Sequence, residues 1–255
     1  MCGGSSRISM RCLRGCWRRA DAVSAATYSQ CSPQEVLAGF FLRVVDMSCV
    51  QAASSTAFAM AELFPILDAA LASTTERSGG WLACRPGCHQ CCVGVFAISQ
   101  LDAEMLREAL AMAEADVPDR IRGRAAASRA RLSAEFPGDP SSGLLFTAPQ
   151  HEEAFEEFAN DEPCPVLDPA TGTCDLYAAR PVQCRTFGPP VRDEDDHLTV
   201  CELCFVDAPA EEVARCEMDQ SWRPLEDELI AAAEQRSGLH GPTLIAFALS
   251  PNRRR

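Results

Sequence analysis

The most informative feature of the chain is a set of cysteines packed into nine residues: Cys84, Cys88, Cys91 and Cys92. Thiolates this close together repel one another and oxidise readily, so a positive group is expected between them. Metal ions and iron–sulfur clusters are the groups that proteins hold with clustered cysteines. The spacing therefore predicts a metal centre.

A second stretch supplies five more candidate ligands: Cys164, Cys174, Cys184, Cys201 and Cys204. The segment between Cys164 and Cys174 has Val, Leu and Thr around Asp-Pro and a Gly, which predicts a β-hairpin. We expect its two cysteines to face each other, with Cβ atoms ~5 Å apart. Such a pair could chelate a metal or form a disulfide. The two blocks together predict nine ligands converging in space.

Two arginines, Arg180 and Arg185, bracket Cys184. Metal–thiolate centres carry negative charge, and nearby guanidinium donors stabilise that charge and adjust the potential. We predict this cofactor-binding role for both, against the alternative of two surface arginines. Among the histidines, His89 is a possible ligand, and the others are expected in solvent: His151, His197 and His240.

The identity of the metal stays open between zinc and iron–sulfur. Neighbouring cysteines such as Cys91 and Cys92 seldom both ligate one zinc ion, which takes four ligands in a closed tetrahedron. Cys164 precedes Pro165, as the last ligand of bacterial ferredoxins often precedes a proline. These features favour an iron–sulfur cluster, 4Fe-4S first, over zinc.

Composition narrows the function classes. The net charge is −13 and no basic face is obvious, so nucleic acid is not an expected partner. All 23 basic residues are arginine, which excludes lysine Schiff bases and P-loop lysines. Fifteen cysteines would also suit a secreted disulfide scaffold, but residues 1–30 lack the apolar run of an export signal. We expect a cytoplasmic protein with no membrane span and an unidentified protein or redox partner.

The fold class predicted is mainly α, with helices around a small irregular cysteine-rich core that contains a short β-hairpin. Residues 1–30 are expected to be a disordered extension, and 31–80 an N-terminal helical segment. Residues 81–220 are predicted to form the metal-binding domain, and 221–255 a C-terminal helix and tail.

Individual elements follow from apolar periodicity and end signals. Ser32-Pro33 predicts the start of a helix, and Ala52–Ala72 predicts another that Pro65 should bend or divide. The inward residues expected in this second helix are Phe58, Leu63, Ile66 and Leu67. Ser99 and Asp102 resemble a capping box for a helix through Ala115, with Met112 among its apolar positions. The remaining expectations are a strand over Val93–Ile98 and helices over 118–136, 150–160, 209–219 and 224–237.

The pattern Cys84-x3-Cys88-x2-Cys91-Cys92, followed by Tyr177-x2-Arg180-Pro181-x2-Cys184-Arg185, resembles the YkgJ-type cysteine-cluster family over roughly residues 81–206. That resemblance implies a domain that chelates zinc or iron. Flagellin lysine N-methylases are distantly similar, which implies a 4Fe-4S cluster and S-adenosylmethionine chemistry. The first three cysteines match the spacing of radical-SAM enzymes, although Gln90 stands where an aromatic residue is usual.

These observations predict a metal-binding protein that supports redox or modification chemistry. Two alternatives remain: a structural zinc module for partner binding, and a radical-SAM-like methylase. No nucleophile–base pair or phosphate loop is visible, so no catalytic residue is predicted.

Overall fold

A computed structural model describes residues 47–85, 87–193 and 196–250. The predicted extension over 1–30 and the helix expected after Ser32-Pro33 lie outside these ranges. In the described ranges the helices are α1 (Met47–Ser78), α2 (Gln100–Met112), α3 (Val117–Leu132), α4 (Glu152–Glu156), α5 (Val182–Thr186), α6 (Ala210–Arg215), α7 (Arg223–Ser237) and α8 (Ile245–Leu249).

The described strands form three short antiparallel hairpins. They pair β1 (Gly138–Asp139) with β2 (Leu144–Leu145), β3 (Leu167–Asp168) with β4 (Thr173–Cys174), and β5 (Val191–Arg192) with β6 (Leu198–Thr199). The prediction of a mainly α fold with a small hairpin in the cysteine-rich region is confirmed. Asp193 and Asp196, from the acidic run after Arg192, lie in the connection of the third hairpin.

Helix α1 is longer than predicted and continues through Pro65. Leu63 and Leu67 are fully buried, as their helical spacing predicts, but Ile66 is exposed. The expectation for Ile66 was therefore wrong, because the apolar stripe of α1 is narrower than the sequence pattern indicates. The side chain of Phe58, also expected inside, lies outside the description.

Helix α2 is the central element of the fold. Ser99 and Asp102 form the predicted capping box, with each side chain accepting the other residue's backbone N–H. The helix ends at Met112, before the predicted Ala115, and Met112 is exposed rather than inward. One side of α2 packs through Leu106 and Leu110 against α3 and α8.

The opposite side of α2 contributes to a second core with α1, α5 and α7. Its buried members include Met105, Leu67, Val182 and Trp222. Helices from both the N-terminal and C-terminal segments thus pack on the cysteine-rich region. The domain boundaries at residues 81 and 220 remain predictions from the sequence. No described helix is long and apolar enough to cross a bilayer.

The expected strand over Val93–Ile98 is absent and only isolated bridges occur at its ends. Val93 bridges to Pro163 and Ile98 to Thr243. Gly94 between them has φ +102°, a conformation incompatible with a regular strand. The segment instead links the two cysteine blocks to the C-terminal part of the core.

Candidate metal centre

Backbone hydrogen bonds join the two cysteine blocks although about 70 residues separate them. The Cys164 N–H donates to the Cys92 carbonyl at 2.7 Å, and the Gly94 N–H donates to the Glu162 carbonyl at 2.8 Å. A short 3-10 turn, Gln90–Cys92, sets the direction of the first block. This pairing brings Cys91 and Cys92 to the same cavity as Cys164.

The hairpin differs from its predicted register. Cys174 on β4 pairs with Leu167, and Asp168 pairs with Thr173, so Cys164 does not face Cys174 across the strands. The reason is a tight turn before β3, in which the Leu167 N–H donates to the Cys164 carbonyl at 3.0 Å. That turn shortens the hairpin but still aims both cysteines into one cavity.

Cys184 arrives on α5, after a 3-10 turn at Tyr177–Ala179 and the helix-starting Pro181. The Val182 N–H at the start of α5 donates to the buried Asp102 carboxylate at 3.0 Å. Burial raises the pKa of Asp102, while its hydrogen bonds from Val182 and Ser99 act in the opposite direction. Asp102 therefore fixes α5, and with it Cys184, against α2.

Five sulfurs surround this cavity, which has a volume of about 40 Å³. We call them the pocket cysteines: Cys91, Cys92, Cys164, Cys174 and Cys184. The rest of the lining is mainly apolar or aromatic, and includes Phe96, Leu106, Val166, Tyr177 and Ile245. The cavity therefore combines five soft sulfur donors with apolar walls, which lower the local dielectric constant.

The protonation of these thiols reflects their surroundings. Burial raises the pKa of Cys174 to about 12 and also raises the pKa values of Cys164 and Cys184, where neighbouring sulfur charges add to the effect. Burial and a hydrogen bond with Cys92 raise the pKa of Cys91, and the same bond lowers the pKa of Cys92. Without a cation between them, most pocket cysteines hold their protons.

The two predicted arginines have different environments. Arg180 is 8% exposed, lines the pocket, and lies 4.2 Å above the Tyr177 ring. Its Nε and Nη1 atoms have no hydrogen-bond partner among the described residues. Arg185 stacks on Phe64 at 3.7 Å and bonds to Asp68 at 2.9 Å.

Further cysteines form a separate set, the loop cysteines: Cys84, Cys201 and Cys204. The Cys84 and Cys204 sulfurs are 3.9 Å apart, and the Cys204 thiol also hydrogen-bonds with Cys201. They pack in a hydrophobic cluster with Phe205. The nine predicted ligands are therefore not all brought to one point.

Two residues of the first block remain outside both sets. Cys88 is half-buried and its charge acts on Cys91, so it lies near the pocket cysteines without lining the cavity. His89 is exposed, and its Nδ1 lies 3.1 Å from the Gly87 carbonyl. His197 and His240 are exposed as expected, whereas His151 is half-buried.

In the part of the chain that the structure describes, no three His, Cys, Asp or Glu side chains already stand as a metal-binding set. The donor chemistry nevertheless fits a thiophilic metal, because five thiols meet at one cavity with a buried guanidinium whose Nε and Nη1 have no hydrogen-bond partner among the described residues. None of the cysteines whose side chains are described is in a disulfide. Binding would require the sulfurs to lose protons and rotate inward.

Sequence reasoning missed two residues that shape the site. Asp102 was predicted only as a helix cap, yet it also anchors α5. Gly188 lies against Cys84, since a Cβ there would stand 2.8 Å from the Cys84 sulfur. Neither contact has a local sequence signal, because each joins segments far apart in the chain.

Comparison with protein families gives a match to a family model named CxxCxxCC and described as "Putative zinc- or iron-chelating domain", over residues 83–204. The matched range contains all nine predicted ligands. Searches of curated proteins and of solved structures give no significant match. Residues 83–204 therefore belong to the CxxCxxCC cysteine-cluster family, whose description is that of a zinc- or iron-chelating domain.

Proposed function

We propose that the pocket cysteines bind an iron–sulfur cluster, with 4Fe-4S favoured, and that the protein uses it in redox or modification chemistry. The observation that carries the proposal is Arg180, whose buried Nε and Nη1 atoms have no hydrogen-bond partner among the described residues at a cavity lined by five thiols. An isolated buried cation is costly unless an anion compensates it. A thiolate-bound cluster would be such an anion.

The size of the cavity supports a cluster over a single ion. Its volume of about 40 Å³ exceeds the ~10–15 Å³ that one water molecule needs. A closed zinc site and a 4Fe-4S cluster both take four cysteine ligands, so the five pocket cysteines supply enough for either. The volume is therefore what favours a polynuclear centre, with one cysteine left as a neighbour.

The surroundings of the pocket suit electron transfer. A bound cluster would supply a one-electron couple, whose potential depends on burial and on hydrogen bonds to sulfur. Phe96, Leu106 and Ile245 would limit water at the centre. Arg180 would direct N–H donors toward the sulfurs and offset their charge. The binding partner of the protein would be a redox protein or a substrate protein rather than nucleic acid or a membrane.

A radical-SAM-like arrangement receives less support. It would require Cys84, Cys88 and Cys91 on one cluster, but Cys84 lies beside Cys204 while Cys91 faces the pocket. Incubating the reduced protein with S-adenosylmethionine tests this alternative. Cleavage of the sulfonium compound would favour it over a simple redox role.

Anaerobic purification of the full chain tests the main proposal. We expect a brown protein with broad visible absorption, iron and acid-labile sulfide in similar amounts, and a paramagnetic signal in one redox state. A colourless protein whose pocket holds only zinc would contradict it. Cys174→Ser is expected to remove the colour, whereas Cys12→Ser, outside both cysteine blocks, should leave it unchanged.

A further inference from the structure

The loop cysteines have their own geometry, separate from the pocket. The distance of 3.9 Å between the Cys84 and Cys204 sulfurs is too long for a disulfide and close to the edge of a metal–thiolate tetrahedron. With Zn–S bonds of ~2.3 Å, tetrahedral geometry puts sulfurs about 3.8 Å apart. The Cys201 sulfur joins the same group through its hydrogen bond with Cys204.

The local backbone holds these sulfurs together. The Cys204 N–H donates to the Cys201 carbonyl at 2.8 Å, which closes the tight turn typical of a Cys-x2-Cys knuckle. The Phe205 N–H donates to the Trp81 carbonyl at 2.8 Å, and the two rings stack. These contacts join the segment before Cys84 to the knuckle.

Gly188 completes the enclosure of Cys84. Its φ of +124° is a conformation that other residues rarely adopt, and a Cβ would stand 2.8 Å from the Cys84 sulfur. Its carbonyl accepts the Cys201 N–H at 3.4 Å. The same glycine thus makes room for one loop cysteine and aligns another.

A closed zinc site needs a fourth ligand, and Cys88 has the right spacing. Cys84-x3-Cys88 falls in the Cys-x2–4-Cys range, as does Cys201-x2-Cys204. The turn between the first two is tight, because the Cys88 N–H donates to the Arg85 carbonyl and Gly87 has φ +87°. The charge of Cys88 acts on Cys91, so Cys88 would have to turn toward the loop cysteines on binding.

We propose that Cys84, Cys88, Cys201 and Cys204 form a second metal centre, a structural zinc site distinct from the pocket. This inference goes beyond the proposed function and does not depend on it. The zinc would hold the segment before Cys88 against the knuckle after β6. The domain would then contain two centres, one closed and one facing a cavity.

Metal analysis of the purified full chain and its variants tests whether the cysteines form two separate metal centres. We expect Cys204→Ser to lose about one equivalent of zinc and keep the pocket metal. Cys174→Ser should lose the pocket metal and keep the zinc. A folded variant of either kind that loses both metals, or a wild-type protein without zinc, would overturn the proposal. A wild-type protein that holds zinc at the loop cysteines but contains no iron would contradict only the proposed function.

Zinc-edge X-ray absorption of the wild-type protein avoids any folding defect of the variants. We expect four sulfur neighbours at ~2.3 Å. A first shell containing nitrogen or oxygen would exclude the proposed ligand set. Cys216→Ala is the matched control, since Cys216 lies in the same hydrophobic cluster and its thiol donates to the Arg77 carbonyl. That variant should retain both metals.

Discussion

The pocket cysteines and the loop cysteines are the same residue type in two different settings. The pocket cysteines come from several segments and surround a void with apolar walls and a buried guanidinium. The loop cysteines come from two loops and pack sulfur against sulfur in a hydrophobic cluster, and Cys84 also lines a smaller cavity of about 20 Å³ with Arg180 and Arg185. Under the two proposals, the void among the pocket cysteines would suit a redox centre, and the direct sulfur packing of the loop cysteines would suit a structural one.

The largest effect is expected from removing a ligand at the centre of the pocket. Cys184→Ser should eliminate nearly all pocket metal and lower the free energy of unfolding by ~4 kcal/mol or more, because metal binding contributes directly to folding. Metal content and urea denaturation under anaerobic conditions measure both. Cys31→Ser, outside the two blocks, is the control, and equal metal loss in both variants would contradict the site assignment.

The next largest effect separates the two arginines that flank Cys184. Arg185→Met should destabilise the metal-free protein by ~3 kcal/mol, since Arg185 binds Asp68 and backbone carbonyls and stacks on Phe64. Arg180→Met should leave the metal-free protein about as stable as wild type, because the gain from removing a buried charge whose Nε and Nη1 have no described hydrogen-bond partner offsets the lost contact with the Tyr177 ring. Denaturation of the metal-free variants measures this difference.

In the metal-bound proteins we expect the opposite order, with the Arg180 substitution affecting the pocket centre more than the Arg185 substitution does. Arg180→Met is expected to shift the reduction potential of the pocket centre to more negative values, because a positive charge that favours the reduced form is lost. Arg185→Met should change the potential much less. Spectroelectrochemistry measures both potentials, and equal shifts would show that Arg180 has no special relation to the sulfurs.

Part of this organisation could be predicted from sequence. The two cysteine blocks, the capping box of α2 and the start of α7 near Pro224 all have local signals. The division of the cysteines has none, because it depends on the Cys164–Cys92 backbone bond and on the turn that shifts Cys174 opposite Leu167. Likewise, Arg180 and Arg185 flank the same cysteine, and only the packing of α5 on α1 distinguishes them.

A smaller effect should be confined to the loop cysteines. Gly188→Ala introduces a side chain at φ +124° and within 2.8 Å of the Cys84 sulfur. We expect a loss of about 2 kcal/mol from backbone strain, together with weaker zinc binding. The pocket metal should be unchanged. Gly238→Ala is a useful control, because its φ is also positive but its Cβ would meet no atom within 4 Å.

The smallest effect concerns Glu226 on α7, which lines an open cleft of about 550 Å³ together with Cys201 and Asp102. Burial, with the charges of Asp102 and Asp227, raises the pKa of Glu226 from 4.5 to about 7. The folded state therefore binds this proton more tightly than the unfolded chain, and stability is lost as the pH rises from about 4.5 through 7. Glu226→Gln removes this fall in stability, because glutamine does not ionise.

We expect the Glu226→Gln variant to match wild type near pH 4.5 and to exceed its unfolding free energy by about 1 kcal/mol at pH 8, after allowance for solvent screening of a partly exposed side chain. Urea denaturation at the two pH values measures the difference. Because Glu226 is a ligand in neither set, the metal content of the variant should equal that of wild type at each pH. A pH-dependent loss of zinc in the variant alone would mean that the cleft and the loop cysteines are coupled, and the two regions would then not be independent.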